Sequence, residues 1–479
     1  MKRLVSSALS ATLFSAVLIA AAEAAPAPVV SGELGAKLDR YLNESGFVGS
    51  ALVAKGGAIV LMKGYGLADR ENGIPWSTDT VVSVGSITKQ FTAAAILKLE
   101  SEGKLSVKDP IGKFFKSAPP DKRGITLHQL LTHTSGLDSD FAGDYDPVGR
   151  DAYIDRIFGS KLRSAPGAAH FYANSGYSLL AAVVEIVSGQ GYETYLREHL
   201  FLPAGMKETG YRAPQWDRAR VPVGYRDGKR WGTMLEKPRS SDGPYWALRG
   251  NGGIETTLAD LWAWNAVLDG ASGVLPVATR KELFTPYVKE SHGDGWYAYG
   301  WAISTTPWDT KLVEHDGGNG IFSADFKRYV DDGIVVITAA SDAEIKAFKY
   351  SGALGRIAHG EDVRPERASA GKLRPIGDSP REQVVKKFVE AFNTHRLEDM
   401  RAFRSAHMVK REGGPTEQQR DEVTRRMFDD FGALAIQGVV AETGEEISVR
   451  MKPATAPPVL FGFVFDGEGK IAGLKVEAN

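Results

Sequence analysis

The chain has 479 residues, 43 % of them hydrophobic and 24 % charged, a composition that excludes a disordered or fibrous protein. Its 58 Lys and Arg residues are balanced by 59 Asp and Glu residues, so no basic excess indicates a nucleic-acid partner. It contains no cysteine, which excludes disulfides, thiolate catalysis and zinc sites built on Cys. With nine scattered His residues, the sequence predicts no metal site, and no motif predicts a cofactor.

Residues 1–24 have the pattern of a secretory signal peptide. Lys2 and Arg3 precede an apolar run over 4–22, and small residues surround Ala24. A short positive segment, an apolar segment and small residues at a cleavage site are typical of such signals. A membrane anchor is the alternative, but the run is rich in Ala and Ser and barely long enough to span a bilayer. The sequence therefore predicts a secreted or periplasmic protein with no stable membrane insertion after cleavage.

Strand patterns lie at both ends of a unit that covers residues 32–358. Residues 50–64 are typical of a hairpin, since two β runs flank the turn Gly56-Gly57. Further strand patterns cover 80–84, 299–303, 320–329 and 333–339, and a closing helix covers 343–358. Helices are predicted from Ile87 to Gly103, over 179–187 and over 260–268, the last with a capping box from Thr257 to Asp260. We expect an α+β fold, with a sheet built from sequence-distant strands and a helical subdomain inserted between them.

A second, smaller α+β domain is predicted over residues 383–479. The segment 359–382 is charged, contains Pro and Ser, and is typical of a linker. Helix patterns follow at 384–392 and 420–431, and strand patterns at 434–441, 446–452, 459–465 and 471–477. Helices followed by a sheet loosely resemble the cone-shaped fold of the nuclear-transport-factor and SnoaL-like group. Binding, shielding of a cleft and homo-oligomerisation are the roles left open for this domain.

Ser86 and Lys89 are the first candidate catalytic pair. In the sequence Ser86-Ile-Thr-Lys89, a hydroxyl and an amine stand at i and i+3, on one face of a predicted helix. The first turn of a helix favours a developing anion, and a buried Lys loses its proton readily, so the pair suits an activated nucleophile. The same spacing occurs at Ser101 and Lys104, where a Gly marks the helix end and a solvated tail is expected.

Two later motifs supply complementary chemistry. Tyr172-Ala-Asn174 offers a phenol that can relay protons and an amide that can hold a substrate carbonyl. His315, between strand-like runs, can donate a hydrogen bond or stabilise an anionic nucleophile. Gly317 and Gly318 let a strand backbone approach a bound substrate closely, with a main-chain N–H pointing at it.

These motifs together resemble the serine β-lactamase/penicillin-binding-protein superfamily, specifically the class C β-lactamase-like hydrolases and esterases. The resemblance covers residues 32–358 and implies an antiparallel sheet with flanking helices and a helical subdomain. Supporting segments are Tyr65-Gly-Leu-Ala-Asp-Arg70, Val84-Gly-Ser-Ile-Thr-Lys-Gln-Phe-Thr92, Leu130-Leu-Thr-His-Thr-Ser-Gly-Leu137 and Gly252-Gly253.

The resemblance implies hydrolysis through an acyl-enzyme. Ser86 would attack a carbonyl, while Lys89 and Tyr172 handle its proton; which of these two is the base stays open. Asn174 would help to bind the substrate. The main-chain N–H groups of Ser86 and Gly318 would form the oxyanion hole, where one donor is often worth ~3 kcal/mol.

One departure from the family pattern bears on the substrate. His315-Asp316-Gly317 stands where β-lactamases and D,D-peptidases usually have Lys-[Thr/Ser]-Gly, whose Lys helps to hold the substrate carboxylate. An acidic residue beside a weaker cation disfavours anionic β-lactams and D-Ala-D-Ala termini. We therefore expect an esterase or amidase acting on a small-molecule ester or amide. A D,D-peptidase or D-amino-acid amidase acting on cell-wall peptides, a β-lactamase and a non-catalytic binding protein are the alternatives.

Other polar residues are assigned to structure. His128 and His133 lie five residues apart on a predicted helix-loop segment, and both are expected to have structural roles. Asp399, His395 and His407 are isolated polar residues in the C-terminal domain, where no catalytic set is found.

Overall fold

The computed structural model describes residues 26–291, 293–365, 373–409, 416–442, 446–455 and 458–478. The signal peptide predicted over 1–24 lies outside them. The helices are α1 Gly32–Glu44, α2 Thr88–Ser101, α3 Leu127–Leu131, α4 Arg150–Gly159, α5 Asn174–Ser188, α6 Tyr192–Leu196, α7 Leu258–Asp269, α8 Val277–Leu283, α9 Ala347–Ala358, α10 Pro380–Asn393, α11 Leu397–His407 and α12 Glu417–Phe431. Short 3-10 turns cover Gly85–Ile87, Ile111–Lys113, Arg218–Arg220 and Met234–Glu236, and a π-helical turn covers Arg197–Phe201.

The strands are β1 Val29–Val30, β2 Gly49–Lys55, β3 Ala58–Tyr65, β4 Leu67–Asp69, β5 Ile74–Pro75, β6 Val82–Ser83, β7 Gly224–Arg226, β8 Lys229–Gly232, β9 Glu255–Thr256, β10 Val288–Lys289, β11 Trp296–Tyr297, β12 Ala302–Thr305, β13 Lys311–Gly318, β14 Ser323–Tyr329, β15 Ile334–Ala340, β16 Leu434–Glu442, β17 Glu446–Pro453, β18 Val459–Phe465 and β19 Ile471–Ala478. Nine of them form one antiparallel sheet in the order β1-β3-β2-β15-β14-β13-β12-β11-β10.

The large sheet joins the two ends of the 32–358 unit, as the sequence predicts. Its first hairpin, β2–β3, turns at Gly56 and Gly57, whose φ angles of 59° and 79° suit the twist of a tight hairpin. The strand β15 is buried along its whole length because β2 pairs with one edge, β14 pairs with the other, and helices cover its faces. The expected α+β fold, with an antiparallel sheet and a helical block, is confirmed.

The helix α2 is the centre of the helical block. Residues 88–97 and Leu99 are all buried, so the helix is apolar nearly all round and packs on every side. The Phe91 ring lies 5.0 Å from the Trp264 ring of α7 and 5.1 Å from that of Phe201. This packing fixes the start of α2 against the sheet, where Ser86 and Lys89 are found.

Two local predictions are wrong in detail. Residues 314–318 belong to the strand β13 and do not lie between strands; alternate positions are buried, but these carry His315 and Gly317, which hide the apolar signal. Only Val82 and Ser83 of the run over 80–84 form a strand, which pairs with β9 outside the large sheet.

The predicted capping box at α7 is incomplete. The Thr257 hydroxyl accepts a hydrogen bond from the Asp260 amide, as expected. The Asp260 carboxylate instead accepts hydrogen bonds from the Glu208 amide and the Thr209 hydroxyl. The Asp260 side chain is therefore bonded to residues distant in the chain and does not complete the local cap.

The C-terminal part has its own sheet, β16–β19, in sequential antiparallel order. Its hydrophobic core is drawn from residues 385–471, and Phe388 of α10 packs 5.3 Å from Phe463 of β18. Both predicted helices and all four predicted strands are present, whereas α11 was not predicted. The first helix starts at Pro380, before the boundary placed at 383. In the described part of the chain, no helix combines the length and apolarity needed to cross a bilayer.

We predict that Phe91→Ala destabilises the unit that contains the nine-stranded sheet by about 3–5 kcal/mol, because it removes a fully buried ring that packs between two other aromatic rings. Urea unfolding followed by tryptophan fluorescence measures this, since all nine Trp residues lie between Trp76 and Trp308. The control is Phe348→Ala, whose side chain is 45 % exposed and whose loss should cost about 1 kcal/mol or less. Equal effects of the two substitutions would contradict the central role of α2.

Candidate active site

Ser86 and Lys89 meet at the start of α2. Ser86 lies in the 3-10 turn Gly85–Ile87, and Lys89 is in the first turn of the helix that follows. The Lys89 Nζ donates hydrogen bonds to Ser86 Oγ at 3.0 Å, to Asn174 Oδ1 at 2.8 Å and to the Asn251 carbonyl oxygen at 2.8 Å. Three acceptors thus match the three N–H groups of an ammonium. After loss of one proton, the lone pair can face Ser86 while two N–H bonds stay with the asparagines.

Burial brings the pKa of the Lys89 amine into the range in which acid–base catalysis operates. The side chain is fully buried, and this burial lowers its pKa to about 7, although Asp140, Asp316 and Asp144 oppose the shift. The amine therefore exchanges its proton near neutral pH, where an ordinary lysine stays charged.

Tyr172 completes the contact group around the serine. Its hydroxyl lies near the Ser86 side chain, which lowers the pKa of the phenol, and its ring centroid lies 4.7 Å from the Lys89 Nζ. Burial, together with the charges of Asp316 and Asp140, raises the Tyr172 pKa well above its usual value near 10. The phenol thus keeps its proton at neutral pH.

Asn174 is the first residue of α5 and links the lysine to an acid. Its Oδ1 accepts the bond from Lys89, and its Nδ2 donates to Asp140 Oδ1 at 3.0 Å. Asn251, which the sequence did not single out, has a fixed position as well. Its Nδ2 donates to Ser178 Oγ at 2.9 Å and to the Ala247 carbonyl oxygen at 2.8 Å.

The end of β13 presents one free edge to the serine. Residues 315–318 pair with β14, whereas β12 pairs with β13 only as far as Glu314. A Cβ at Gly317 would lie 2.1 Å from the Val84 oxygen and 2.6 Å from the Ser86 nitrogen; one at Gly85 would lie 2.3 Å from the Gly318 nitrogen. Only glycines allow this approach, which brings the amide groups of residues 86 and 318 onto adjoining segments.

His315 is held as a neutral ring. Its Nδ1 lies 2.6 Å from the Asp316 carbonyl oxygen, which can only accept, so Nδ1 carries the hydrogen. Its Nε2 lies 3.0 Å from the Tyr297 hydroxyl, which donates to it. Burial and the Lys89 charge lower the His315 pKa, against the effect of Asp316. Both ring nitrogens have protein partners, so this side chain is a poor substitute for a cationic lysine.

His133 contacts the tyrosine segment from behind. It has a φ of 56°, its carbonyl oxygen accepts from the Phe171 amide at 2.8 Å, and its Nδ1 accepts from the Ala173 amide at 3.0 Å. Its ring lies 4.2 Å from the Tyr172 ring. His133 therefore has a structural role, as predicted, and it supports the candidate catalytic residue Tyr172. The sequence signal for this role was a non-glycine residue in the tight turn His-Thr-Ser-Gly. His128 is instead bonded to Tyr299.

We predict that His133→Ala lowers kcat by about tenfold to a hundredfold, because the phenol loses its backing and its backbone loses an acceptor. KM should change much less, and His133→Asn should recover part of the rate because Asn tolerates this φ and keeps an acceptor. Steady-state kinetics with near-ultraviolet circular dichroism provide the measurement. The control is His128→Ala; a full kcat in His133→Ala would contradict the positioning role.

We predict that kcat/KM falls about tenfold per pH unit below about pH 7, because a protonated Lys89 has no lone pair with which to accept the serine proton. Above that pH the rate should level off as the neutral form becomes dominant. Lys89→Met should abolish the activity, whereas Lys98→Met, near the end of the same helix, should keep both rate and profile. A profile that rises only above about pH 9 would assign the proton transfer to a different group.

Comparison with known proteins agrees with this geometry. A family model described as Beta-lactamase matches residues 36–353, more than half of the chain. The putative penicillin-binding protein PbpX of Bacillus subtilis (strain 168) is 35 % identical over 262 residues, covering 54 % of this chain and 64 % of PbpX. The D-alanyl-D-alanine-carboxypeptidase/endopeptidase AmpH of Escherichia coli (strain K12) is 31 % identical over 273 residues, covering 53 % of this chain and 67 % of AmpH.

A solved structure extends the likeness in fold to nearly the whole chain. The octameric penicillin-binding protein homologue from Pyrococcus abyssi aligns with a TM-score of 0.62 and 21 % identity, covering 94 % of this chain and 98 % of that one. The match to the family model covers the serine, lysine, tyrosine and histidine described above, and it assigns the chain to a family. This chain belongs to the beta-lactamase family of serine hydrolases.

Proposed function

We propose that the protein cleaves an ester or amide through an acyl-enzyme at Ser86, in the class C-like branch of the family. The observation that carries this proposal is the hydrogen bond from the Lys89 amine to the Ser86 hydroxyl, with the Tyr172 ring 4.7 Å from the same amine. A nucleophile, a group that exchanges protons near neutrality and a protonated phenol are the parts that acyl transfer needs.

The reaction follows from the protonation states. The neutral Lys89 amine takes the Ser86 proton while Oγ attacks the substrate carbonyl, and the amides of Ser86 and Gly318 stabilise the resulting oxyanion. The Tyr172 phenol donates its proton to the leaving oxygen or nitrogen as the carbonyl–leaving-group bond breaks, and it recovers a proton from the Lys89 ammonium. Water then attacks the acyl-enzyme, and the same groups return Ser86 to its hydroxyl form.

Charge supports a substrate without a carboxylate beside β13. Asp140, Asp144 and Asp316 all act on Lys89, and a neutral His315 occupies the place of the family's usual lysine. The free carboxylate of a β-lactam or of a D-Ala-D-Ala terminus would meet these acids without a fixed cation. A neutral ester or amide escapes this repulsion.

A D,D-peptidase acting on cell-wall peptide is the second candidate. What favours it is the relative AmpH, whose name describes a carboxypeptidase and endopeptidase and of which this chain covers 67 %. An endopeptidase substrate carries no carboxylate next to the scissile bond. The acidic residues therefore disfavour endopeptidase activity less than carboxypeptidase activity.

We predict that the wild-type protein hydrolyses a short-chain p-nitrophenyl ester at a rate that Ser86→Ala lowers by about a thousandfold or more. Ser101→Ala is the matched control, because Ser101 and Lys104 repeat the same spacing at the other end of α2. A chromogenic cephalosporin and a D-Ala-D-Ala peptide are assayed beside the ester. Full activity in Ser86→Ala overturns the proposal, and preferential cleavage of the cephalosporin or the peptide replaces the ester substrate with that class.

The remaining features are proposed on the sequence patterns alone. We propose export by the segment 1–24, a hydrolase unit over 32–358, a linker over 359–382 and a cone-like domain over 383–479. Homo-oligomerisation through that last domain is proposed as its role. Gel filtration of the full chain beside a version ending at residue 365 tests this role.

A further inference from the structure

Asp140 is joined to the nucleophile by a short series of hydrogen bonds. The Lys89 Nζ donates to Ser86 Oγ at 3.0 Å and to Asn174 Oδ1 at 2.8 Å. The Asn174 Nδ2 in turn donates to Asp140 Oδ1 at 3.0 Å. Asn174 therefore holds one carboxylate oxygen of Asp140 in a fixed position beside the lysine and the serine.

The second oxygen of Asp140 is open to a substrate. The residue is exposed, and its Oδ2 forms neither a hydrogen bond nor an ion pair with any residue that the structure describes. Two arginines of this region have other partners. Arg163 pairs with Asp138 at 3.2 Å, and Arg156 donates to a carbonyl oxygen, that of Phe141, at 3.1 Å. A carboxylate acceptor without a bonded cation thus stands at the edge of the site.

The charges around the catalytic groups favour a cation in the same place. Four acidic side chains act on the Lys89 amine or on the Tyr172 phenol, and these are Asp140, Asp144, Glu290 and Asp316. Burial raises the pKa of Asp144 and that of Glu290, so the two exposed acids supply most of the negative charge that a substrate meets. Once Lys89 has lost its proton, its own charge no longer repels an arriving ammonium.

We propose that Asp140 determines the specificity of this site by binding an ammonium group on the carbon atom next to the scissile carbonyl. The ammonium donates hydrogen bonds to the open Oδ2 while the carbonyl carbon lies at Ser86 Oγ. A hydrogen bond between charged groups is shorter and stronger than one between neutral groups, so this contact both binds and orients the substrate. The inference rests on the proposed function and narrows its substrate class to esters and amides of amino acids with a free amine.

The shared asparagine fixes where the ammonium lies. Asn174 contacts both Asp140 and the lysine that is bonded to Ser86, so the open oxygen and the nucleophile border the same space. An amine on the first carbon beyond the carbonyl lies within that space, whereas an amine farther along the chain leaves it. Acylation of the amine removes the charge on which the contact depends.

Binding tests the assignment without turnover. Alaninamide and isobutyramide have the same shape, but the first has an ammonium where the second has a methyl group, and this amine is mostly protonated at pH 7. Their dissociation constants for Ser86→Ala are compared by nuclear magnetic resonance titration, with both enantiomers of alaninamide. We expect the better enantiomer to bind about tenfold more tightly than isobutyramide. Equal binding, or tighter binding of isobutyramide, overturns the assignment whether or not the wild-type protein hydrolyses esters.

Turnover tests the same preference in the wild-type protein. Alanine methyl ester, methyl isobutyrate and monomethyl succinate have a positive, a neutral and a negative acyl group, and their kcat/KM values are measured by titration of the released acid, with the Ser86→Ala rate subtracted. We expect the alanine ester to exceed the neutral ester by about tenfold and the negative ester to be the poorest. A neutral or negative ester as the best substrate overturns the proposal. Absence of Ser86-dependent turnover of any ester, the p-nitrophenyl ester included, is instead a failure of the proposed function, and the binding test then decides the assignment.

Variants of Asp140 separate the contact from general charge. Asp140→Asn keeps an oxygen that can accept from Asn174 but loses the charge, so it should lower the ratio between the positive and the neutral compound at least about threefold in both assays. Asp140→Glu keeps the charge and should retain part of the ratio. The ratio is the readout because Asp140 also acts on the Lys89 pKa, which affects the turnover of both compounds alike.

The matched control is Asp155→Asn. Asp155 is an exposed acid of α4 and is not among the groups that act on Lys89 or Tyr172. Its replacement removes the same charge and should leave the ratio unchanged. A ratio unchanged in Asp140→Asn, or lowered equally in Asp155→Asn, contradicts the assignment.

Discussion

The burial of one amine, that of Lys89, is the constraint on which the rest of the site depends. An ammonium taken out of water costs several kcal/mol unless acceptors replace its hydration. Here three oxygens do so, from Ser86, Asn174 and Asn251, which come from three separate segments of the chain. Each of those segments must be placed before the amine can be buried. The same burial that costs folding free energy also brings the pKa of the amine near neutrality, where it can exchange its proton.

Close approach of two backbones is the second requirement. The turn before α2 and the end of β13 touch through Gly85 and Gly317, where any side chain would collide with main-chain atoms. This contact brings the segments that carry the amide groups of residues 86 and 318 against each other, where β12 no longer pairs with β13. His133 plays a similar part for Tyr172, since it holds the neighbouring amides and backs the ring.

Acidic side chains act on the buried lysine from several segments of the chain. Asp140, Asp144 and Asp316 act on the Lys89 amine, and His315 stays neutral because burial lowers its pKa. These charges oppose the lowering of the Lys89 pKa by burial, so the amine titrates near neutrality.

The sequence by itself determined what depends on neighbouring residues. The hairpin at Gly56-Gly57, the buried helix α2 and the pairing of Ser86 with Lys89 follow from turn chemistry, periodicity and helical spacing, which are local. Only the tertiary structure decided that residues 314–318 form a strand, that His133 supports Tyr172 and that the Asn251 carbonyl oxygen accepts a hydrogen bond from Lys89. These features arise from contacts between segments far apart in the chain, and no local pattern contains their partners or the burial that alters their chemistry.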